Sequence, residues 1–154
     1  MNKKRGVRRG QGLVEFALIL PVLLLIIFGT IEFGHILFIY VNLSNAAREG
    51  TRFGIVDPQN QAGITDAVNG RIALIDPVVP TIEYDSGPGT AVFTDPTLAK
   101  PGNRVGVRID YVIEPLTPFM APFLGGGLTF QTENWRTIQS AGVGGGPAPG
   151  NPLP

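Results

Sequence analysis

The chain has 154 residues and a formal net charge of zero, with 12 basic and 12 acidic residues. This length allows one small domain in addition to a membrane anchor. The absence of cysteine excludes disulfides, thiol catalysis and cysteine-ligated metals.

Basic residues are concentrated at the N-terminus. Five of the twelve Lys and Arg residues lie in the first nine positions, which contain no acidic residue: Lys3, Lys4, Arg5, Arg8 and Arg9. An almost unbroken apolar run follows over residues 16–31. The positive-inside rule places residues 1–10 in the cytoplasm and the chain beyond the apolar run outside it. The basic cluster is therefore read as an orientation signal, and no nucleic-acid partner is predicted.

Residues 11–54 are predicted to form one helix that crosses the membrane and continues beyond it. At 1.5 Å per residue, residues 13–43 alone would extend about 46 Å, whereas the hydrocarbon core of a bilayer is about 30 Å thick. Glu32 and His35 therefore fall near or past the outer edge of the membrane. Pro21 lies inside the helix, where it removes one backbone hydrogen bond and favours a kink.

Small residues recur every four positions in the second half of this helix, at Asn42, Ala46, Gly50 and Gly54. They line one narrow face that allows another backbone to approach closely. Two interpretations stay open, because this face could pack against another helix or could seat the helix on the chain's own domain. After Gly54, the pair Asp57-Pro58 is predicted to end the helix.

Residues 55–140 are predicted to form a small extracytoplasmic domain, so that the fold class is α+β. Apolar spacings of three and four indicate a short helix within residues 59–76. A period of two then predicts an antiparallel sheet with strands at residues 81–84, 104–114 and 128–138, and with residues 91–93 returning as the partner of the first strand.

The remaining structural predictions concern two apolar features of the domain and the C-terminal segment. Residues 115–127 are rich in Pro, Phe, Leu and Gly, and the side chains of Phe119, Met120, Phe123 and Leu124 are either core or an exposed patch for a partner. Trp135 is predicted to be core. Residues 141–154, rich in Gly and Pro, are predicted to be a disordered tail.

The sequence predicts no enzyme, cofactor site or metal site. Glu32 and His35, the single histidine, are three residues apart and can share a helix face, but a metal would need further ligands. They are predicted to be interfacial polar residues, hydrogen-bonded to each other or to a neighbouring subunit. Asp85 and the Ser-Gly-Pro-Gly that follows it are best explained as a hairpin turn.

The junction between the basic cluster and the apolar run resembles the processing signal of TadE-like minor pilins, in the Flp/Tad branch of the type IV pilin superfamily. The resemblance rests on Gly10-Gln11-Gly12-Leu13-Val14-Glu15-Phe16 and, beyond the membrane, on Asn45-Ala46-Ala47-Arg48-Glu49-Gly50-Thr51-Arg52. In that family a basic leader ends in glycine, and the fifth residue of the mature chain is glutamate. The resemblance implies cleavage between Gly10 and Gln11, which makes Glu15 the fifth mature residue and Phe16 the aromatic that follows it.

The resemblance also implies a function and a set of partners. The chain would be a minor pilin or pseudopilin of a Tad-type pilus or secretion system, acting in filament initiation or assembly. The Glu15 carboxylate would face the N-terminal amine of its own or an adjacent subunit. The implied partners are the prepilin peptidase, other minor pilins, the major Flp-type pilin, the Tad inner-membrane platform proteins and membrane lipid.

The same resemblance implies a bacterial inner-membrane protein with a single membrane crossing, a cytoplasmic N-terminus and an extracytoplasmic C-terminal domain. The alternative is an uncleaved membrane-anchored binding module. In that interpretation the helix is a plain signal anchor, and Glu15 is an acid at a helix start, stabilised by the macrodipole. Residues 55–140 would then bind a surface ligand or an envelope protein.

Overall fold

The structure, a computed structural model, describes residues 9–118 and 120–139, without the side chains of Arg9 and Phe123. The predicted leader up to residue 8, the predicted tail over 141–154 and Phe119 lie outside this range. The described elements are α1 (Arg9–Gly54), α2 (Gln61–Asn69), β1 (Thr81–Asp85), a 3-10 turn (Pro96–Leu98), β2 (Arg104–Ile113), α3 (Ala121–Leu124) and β3 (Leu128–Thr137). They confirm the predicted α+β fold with a long N-terminal helix.

Helix α1 is a single 46-residue helix that continues through Pro21. At 1.5 Å per residue it is about 69 Å long, more than twice the thickness of a hydrocarbon core. Its N-terminal half is exposed and apolar, with Leu13 at 71% and Leu18 at 73% exposure. Within the described residues, 11–54 form the one helix that is long and apolar enough to cross a membrane. The C-terminal half packs against the domain, so one helix occupies two environments.

The core of the domain lies between α1, α2 and the inner face of a three-stranded antiparallel sheet. The sheet has the order β1-β2-β3, with Ile82 opposite Val107 and Val107 opposite Asn134. The buried apolar side chains come from α1 (Ile39, Leu43, Ala46, Ala47), α2 (Ile64, Val68), β1 (Ile82, Tyr84), β2 (Val105, Val107, Ile109, Ile113) and the connecting and terminal segments (Val78, Ala99, Ile138). The β2 side chains alternate as predicted, because every second residue of a strand points to the same face.

Helix α2 is shorter than the predicted range 59–76. It ends at Asn69, whose side-chain amide donates to the Val78 carbonyl at 3.0 Å and accepts from the Val78 amide at 2.8 Å. These two bonds fold the following segment back on the helix. Ile72 and Ile75 still pack against the core from this segment, which explains why their spacing resembles a continued helix.

The prediction that residues 91–93 return as the partner of the first strand holds at one position. An isolated antiparallel bridge joins Tyr84 to Phe93, and the two residues exchange two backbone hydrogen bonds of 2.8 Å. This bridge lies on one edge of β1, and β2 pairs with the opposite edge. After Phe93 the chain turns into the 3-10 turn, which begins with the Asp95 side chain accepting from the Thr97 amide at 2.9 Å, so the bridge does not extend into a strand.

The prediction that Trp135 belongs to the core is wrong. This side chain lies half-buried on the outer face of the sheet. The register of β2 and β3 places it opposite Gly106, and neighbours across a ladder share a face. A Cβ on Gly106 would come within 2.6 Å of the indole ring, so the absence of a side chain there makes room for Trp135. The Arg104 guanidinium lies over the same ring, 5.0 Å from its centroid.

Ion pairs join β1 to β2 on this outer face. Arg104 donates from Nε to Asp85 Oδ1 at 2.8 Å and from Nη2 to Asp85 Oδ2, and Arg108 donates to Glu83 Oε1 at 2.5 Å. The bonds from Arg104 lower the pKa of the Asp85 carboxyl and outweigh burial, which alone would raise it. The outer face is therefore held by charge pairs and the inner face by apolar packing.

We expect Gly50→Ala to lower the free energy of unfolding of the domain. An added Cβ would lie 2.5 Å from Val68 Cγ2, so either the helix or Val68 must move. Overpacking of this kind costs about 1–3 kcal/mol, whereas glycine to alanine in an open helix position gains up to about 1 kcal/mol. Thermal unfolding in detergent, followed by the near-ultraviolet signal of Trp135, measures the change.

Gly34→Ala is the matched control, because a Cβ at this position of the same helix meets nothing within 4 Å. The control should unfold at or above the wild-type temperature. Equal stability of Gly50→Ala and the wild type would contradict the packing described for this face.

Candidate functional site: the helix shared by membrane and domain

The predicted processing and assembly residues lie at the exposed start of α1. The peptide bond between Gly10 and Gln11 falls in the first turn of the helix, which begins at Arg9. Glu15 and Phe16 are exposed, and Phe16 keeps 60% of its surface accessible. Among the described residues, the salt bridges do not involve Glu15, so its carboxylate is open to a partner from outside that part of the chain.

The face of small residues on α1 is occupied by the chain's own domain. Ala46, Gly50 and Gly54 are all buried. A Cβ on Gly50 would meet Val68 and Val107, and a Cβ on Gly54 would meet Val105 and Ile64, the nearest at 3.1 Å. Of the two interpretations left open by the sequence, the structure therefore shows the one in which this face seats the helix on α2 and β2.

Thr51 adds a polar contact to the same face. It is fully buried, and its hydroxyl donates to Asn134 Oδ1 of β3 at 2.8 Å. Just beyond it, the Gln139 amide donates to the Ile55 carbonyl at 3.0 Å. These bonds tie the end of α1 to the last strand. Sequence analysis missed this role, although a hydroxyl between Gly50 and Gly54 was a usable signal.

Glu32 makes the main polar contact at the other end of the domain. Its side chain is only 2% exposed, and its carboxylate accepts three hydrogen bonds from the connection between β2 and β3. The donors are the Leu116 amide at 2.9 Å, the Thr117 amide at 3.2 Å and the Thr117 hydroxyl at 3.1 Å. We name this set of bonds the Glu32 clamp. It satisfies both carboxylate oxygens, as a buried charge requires.

Glu32 and His35 are close enough to interact electrostatically, but the hydrogen bonds of the Glu32 carboxylate among the described residues go to the β2–β3 connection and not to His35. The hydrogen bonds of Glu32 go to Leu116 and Thr117, whereas His35 is half-buried in an open groove that also includes Ile39 and Tyr111. Sequence spacing placed the two residues on neighbouring parts of the helix surface. It could not show that a loop more than 80 positions later returns to one of them.

The Glu32 clamp and the small-residue face fix the direction of the sheet along the helix. Gly54 lies beside Val105, and 22 residues earlier Glu32 binds Leu116. These helix residues span about 33 Å, and the 11 positions from Val105 to Leu116 span about 36 Å when extended. Strand β2 therefore runs back along α1 towards the membrane, and the β2–β3 connection lies at the membrane-facing end of the domain.

The described part of the chain contains no group of three or more His, Asp or Glu side chains arranged to hold a metal ion. Of the polar groups with defined partners, Glu32 and Thr51 join α1 to the domain, whereas the Arg104–Asp85 and Arg108–Glu83 pairs join strands within it. Buried side-chain nitrogen and oxygen atoms of the described residues all have hydrogen-bond partners. The described part of α1 thus has an exposed apolar half and a second half that packs against the domain.

Glu32→Ala should release the β2–β3 connection from α1. The substitution leaves the amides of Leu116 and Thr117 without their acceptor, and hydrogen bonds to a charged group contribute about 1.5–3 kcal/mol. We expect the exchange rates of these two amides to rise about 10- to 100-fold, measured by hydrogen exchange and nuclear magnetic resonance in detergent micelles.

Thr30→Ala is the control for this change, because the Thr30 hydroxyl donates only to the Ile26 carbonyl within the helix, at 2.8 Å. It should leave both amides protected. Unchanged protection of Leu116 and Thr117 in Glu32→Ala would show that the clamp does not hold the connection.

Comparison with known proteins gives a family match that covers the helix. Residues 10–52 match the family model described as TadE-like protein, which confirms the resemblance seen in the sequence. The match begins at Gly10 and ends two residues before the end of α1. No curated protein and no solved structure matches the chain.

Proposed function

We propose that this chain, which carries the TadE-like segment over residues 10–52, is a minor pilin or pseudopilin of a Tad-type pilus or secretion system. In this proposal it is processed after Gly10 and acts in filament initiation or assembly. The observation that carries the proposal is the coincidence of the family match with α1. The matched segment is the membrane-spanning candidate together with the face that seats the domain.

The exposed half of α1 supports this function. A helix with apolar side chains on all sides is stable in lipid, and such a helix can also pack against similar helices in a filament. Its exposed positions include Val22 and Ile26, at 60% and 58%. The family match and the single apolar helix fit a single-pass membrane protein associated with a Tad pilus system.

Glu15 has a physical role in this proposal. A carboxylate deep in a bilayer costs about 2.5–3.5 kcal/mol on insertion scales, and a cationic partner offsets that cost. Cleavage after Gly10 would create an amine on Gln11, four residues before Glu15 and therefore on the same helix face. The carboxylate could pair with this amine or with that of an adjacent subunit, which would select subunits in the correct axial position.

The proposal includes a non-enzymatic role, with the prepilin peptidase acting on the chain as its substrate. The other proposed partners are related minor pilins, the major Flp-type pilin and the Tad platform proteins of the inner membrane. The proposed orientation has a cytoplasmic N-terminus and an extracytoplasmic domain.

An uncleaved membrane-anchored binding module is the second candidate. The observation that favours it is that the family match ends at residue 52 and leaves the domain unmatched. In that case the domain would carry the specific function and α1 would serve only as an anchor.

Glu15→Ala should impair filament assembly and leave membrane insertion intact. The variant removes the charge that pairs with the N-terminal amine, whereas the apolar helix that drives insertion is unchanged. Co-purification with the major pilin from sheared filaments and carbonate-extracted membranes measures the two properties. Glu15→Gln should share the defect, because it keeps the shape of the side chain but not its charge.

Glu114→Gln is the matched control, because Glu114 is an exposed carboxylate of the domain. This control should assemble normally. Normal assembly of both Glu15 variants would contradict the pilin proposal and favour the anchored binding module.

A further inference from the structure

We propose that the described part of the β2–β3 connection, residues 115–118 and 120–127, inserts into the outer leaflet of the membrane that α1 crosses. This contact with lipid is separate from the proposed role in filament assembly, and it does not depend on cleavage after Gly10. It assigns a second membrane contact to a domain that is otherwise held only by its helix. The Glu32 clamp is the structural feature that positions it.

The depth of Glu32 along α1 is the first argument. Whether the hydrocarbon begins at Leu13 or at Phe16, Glu32 lies about 24–29 Å further along the helix, which is about 1–6 Å inside the outer edge of a core of about 30 Å. A bare carboxylate is unfavourable at that depth. Here the carboxylate is buried and accepts three hydrogen bonds from Leu116 and Thr117. The connection that supplies those donors must therefore lie at the same depth.

The burial pattern of α1 below Glu32 is the second argument. Leu24 and Phe28 lie on the same face as Glu32, at intervals of four residues, and both are half-buried. Leu25 and Ile26 on other faces remain 44% and 58% exposed. We infer that the connection extends along this face beyond the clamp, which carries it deeper into the leaflet.

The chemistry of the connection is the third argument. Residues 115–132 contain no Asp, Glu, Lys or Arg. Leu116 is 56% exposed, Pro118 and Pro122 are also exposed, and Met120 is half-buried. At the other end of the same sheet the chain carries ionic groups, including the Arg104–Asp85 pair. The connection is thus uncharged along its length, and charged residues begin at its borders, with the exposed Glu114 before it and Glu133 after it.

The backbone of the connection is compatible with this environment. Short helix α3 and the turn that ends it bond internally, with the Leu124 amide donating to the Met120 carbonyl at 3.1 Å and the Gly126 amide to the Ala121 carbonyl at 3.3 Å. Irregular backbone is tolerated at membrane depth when its polar groups are satisfied within the protein. The occupant of this surface is therefore lipid acyl chain, supplied by the membrane in which α1 is anchored.

The absence of cysteine allows a direct test by site-directed spin labelling. Leu116→Cys, Leu98→Cys and Val22→Cys are labelled with a nitroxide in the full chain, in nanodiscs of phosphatidylethanolamine and phosphatidylglycerol. Leu116 and Leu98 are matched, at 56% and 53% exposure, and Val22, at 60%, reports the membrane interior. Collision rates with oxygen and with a water-soluble nickel chelate are measured at each position.

The label at position 116 should resemble the label at position 22, with an oxygen-to-nickel collision ratio severalfold above that at position 98. Pro118→Cys provides a second reporter if labelling at 116 shifts the thermal unfolding of the domain. A ratio at both positions equal to that at 98 would place the connection in water and overturn the proposal. Exclusion of both reagents together with spin–spin broadening would mean that a second copy covers the surface, and would also overturn it.

Discussion

The structure depends on one constraint, which is that a single helix must be stable in lipid over its first half and in a protein core over its second half. Helix α1 meets this constraint by changing composition along its length. Large apolar side chains on all sides give way to a face of Ala46, Gly50 and Gly54 that admits α2 and β2. Glu32 lies between the two regions, and its three bonds to the β2–β3 connection close the domain at the membrane end.

This arrangement couples the domain rigidly to its anchor. The sheet is bonded to α1 near both ends, by Glu32 at the membrane end and by Thr51 at the distal end, with apolar packing between them. No flexible linker separates the helix from the domain along residues 32–54, because the same residues form both. In the proposed function, a subunit that leaves the membrane for a filament would carry the domain with the helix, in a fixed orientation.

Much of the helix and its environment could be predicted from the sequence, because each relevant signal is local. The apolar run, the charge asymmetry before it and the run from Gly10 to Phe16 are all contained in one short stretch, and the family match covers this stretch from residue 10 onwards. The alternation in β2 was predictable for the same reason, since a period of two reports which face is buried. The assignment of processing to Gly10 and of assembly to Glu15 stays a prediction.

The errors concern contacts between distant parts of the chain. Trp135 was misplaced because its face depends on the register with Gly106. The returning segment at residues 91–93 pairs with β1 through Phe93 alone, because the chain enters a 3-10 turn directly afterwards. The role of Glu32 was missed because its donors lie 84 and 85 positions away. Sequence periodicity indicates burial of a residue but not which distant segment buries it.

The central functional claim is that a prepilin peptidase converts this chain into a subunit that begins at Gln11. The most direct measurement is the intact mass and N-terminal sequence of the membrane-extracted protein, from cells with and without an active peptidase. Gly12→Val serves as the control for Gly10→Val, because a Cβ at Gly12 meets nothing within 4 Å. The account predicts a start at Gln11 that requires both the peptidase and Gly10 but tolerates Gly12→Val. A start at Met1 or Asn2 in every sample would contradict it and leave α1 as a plain signal anchor.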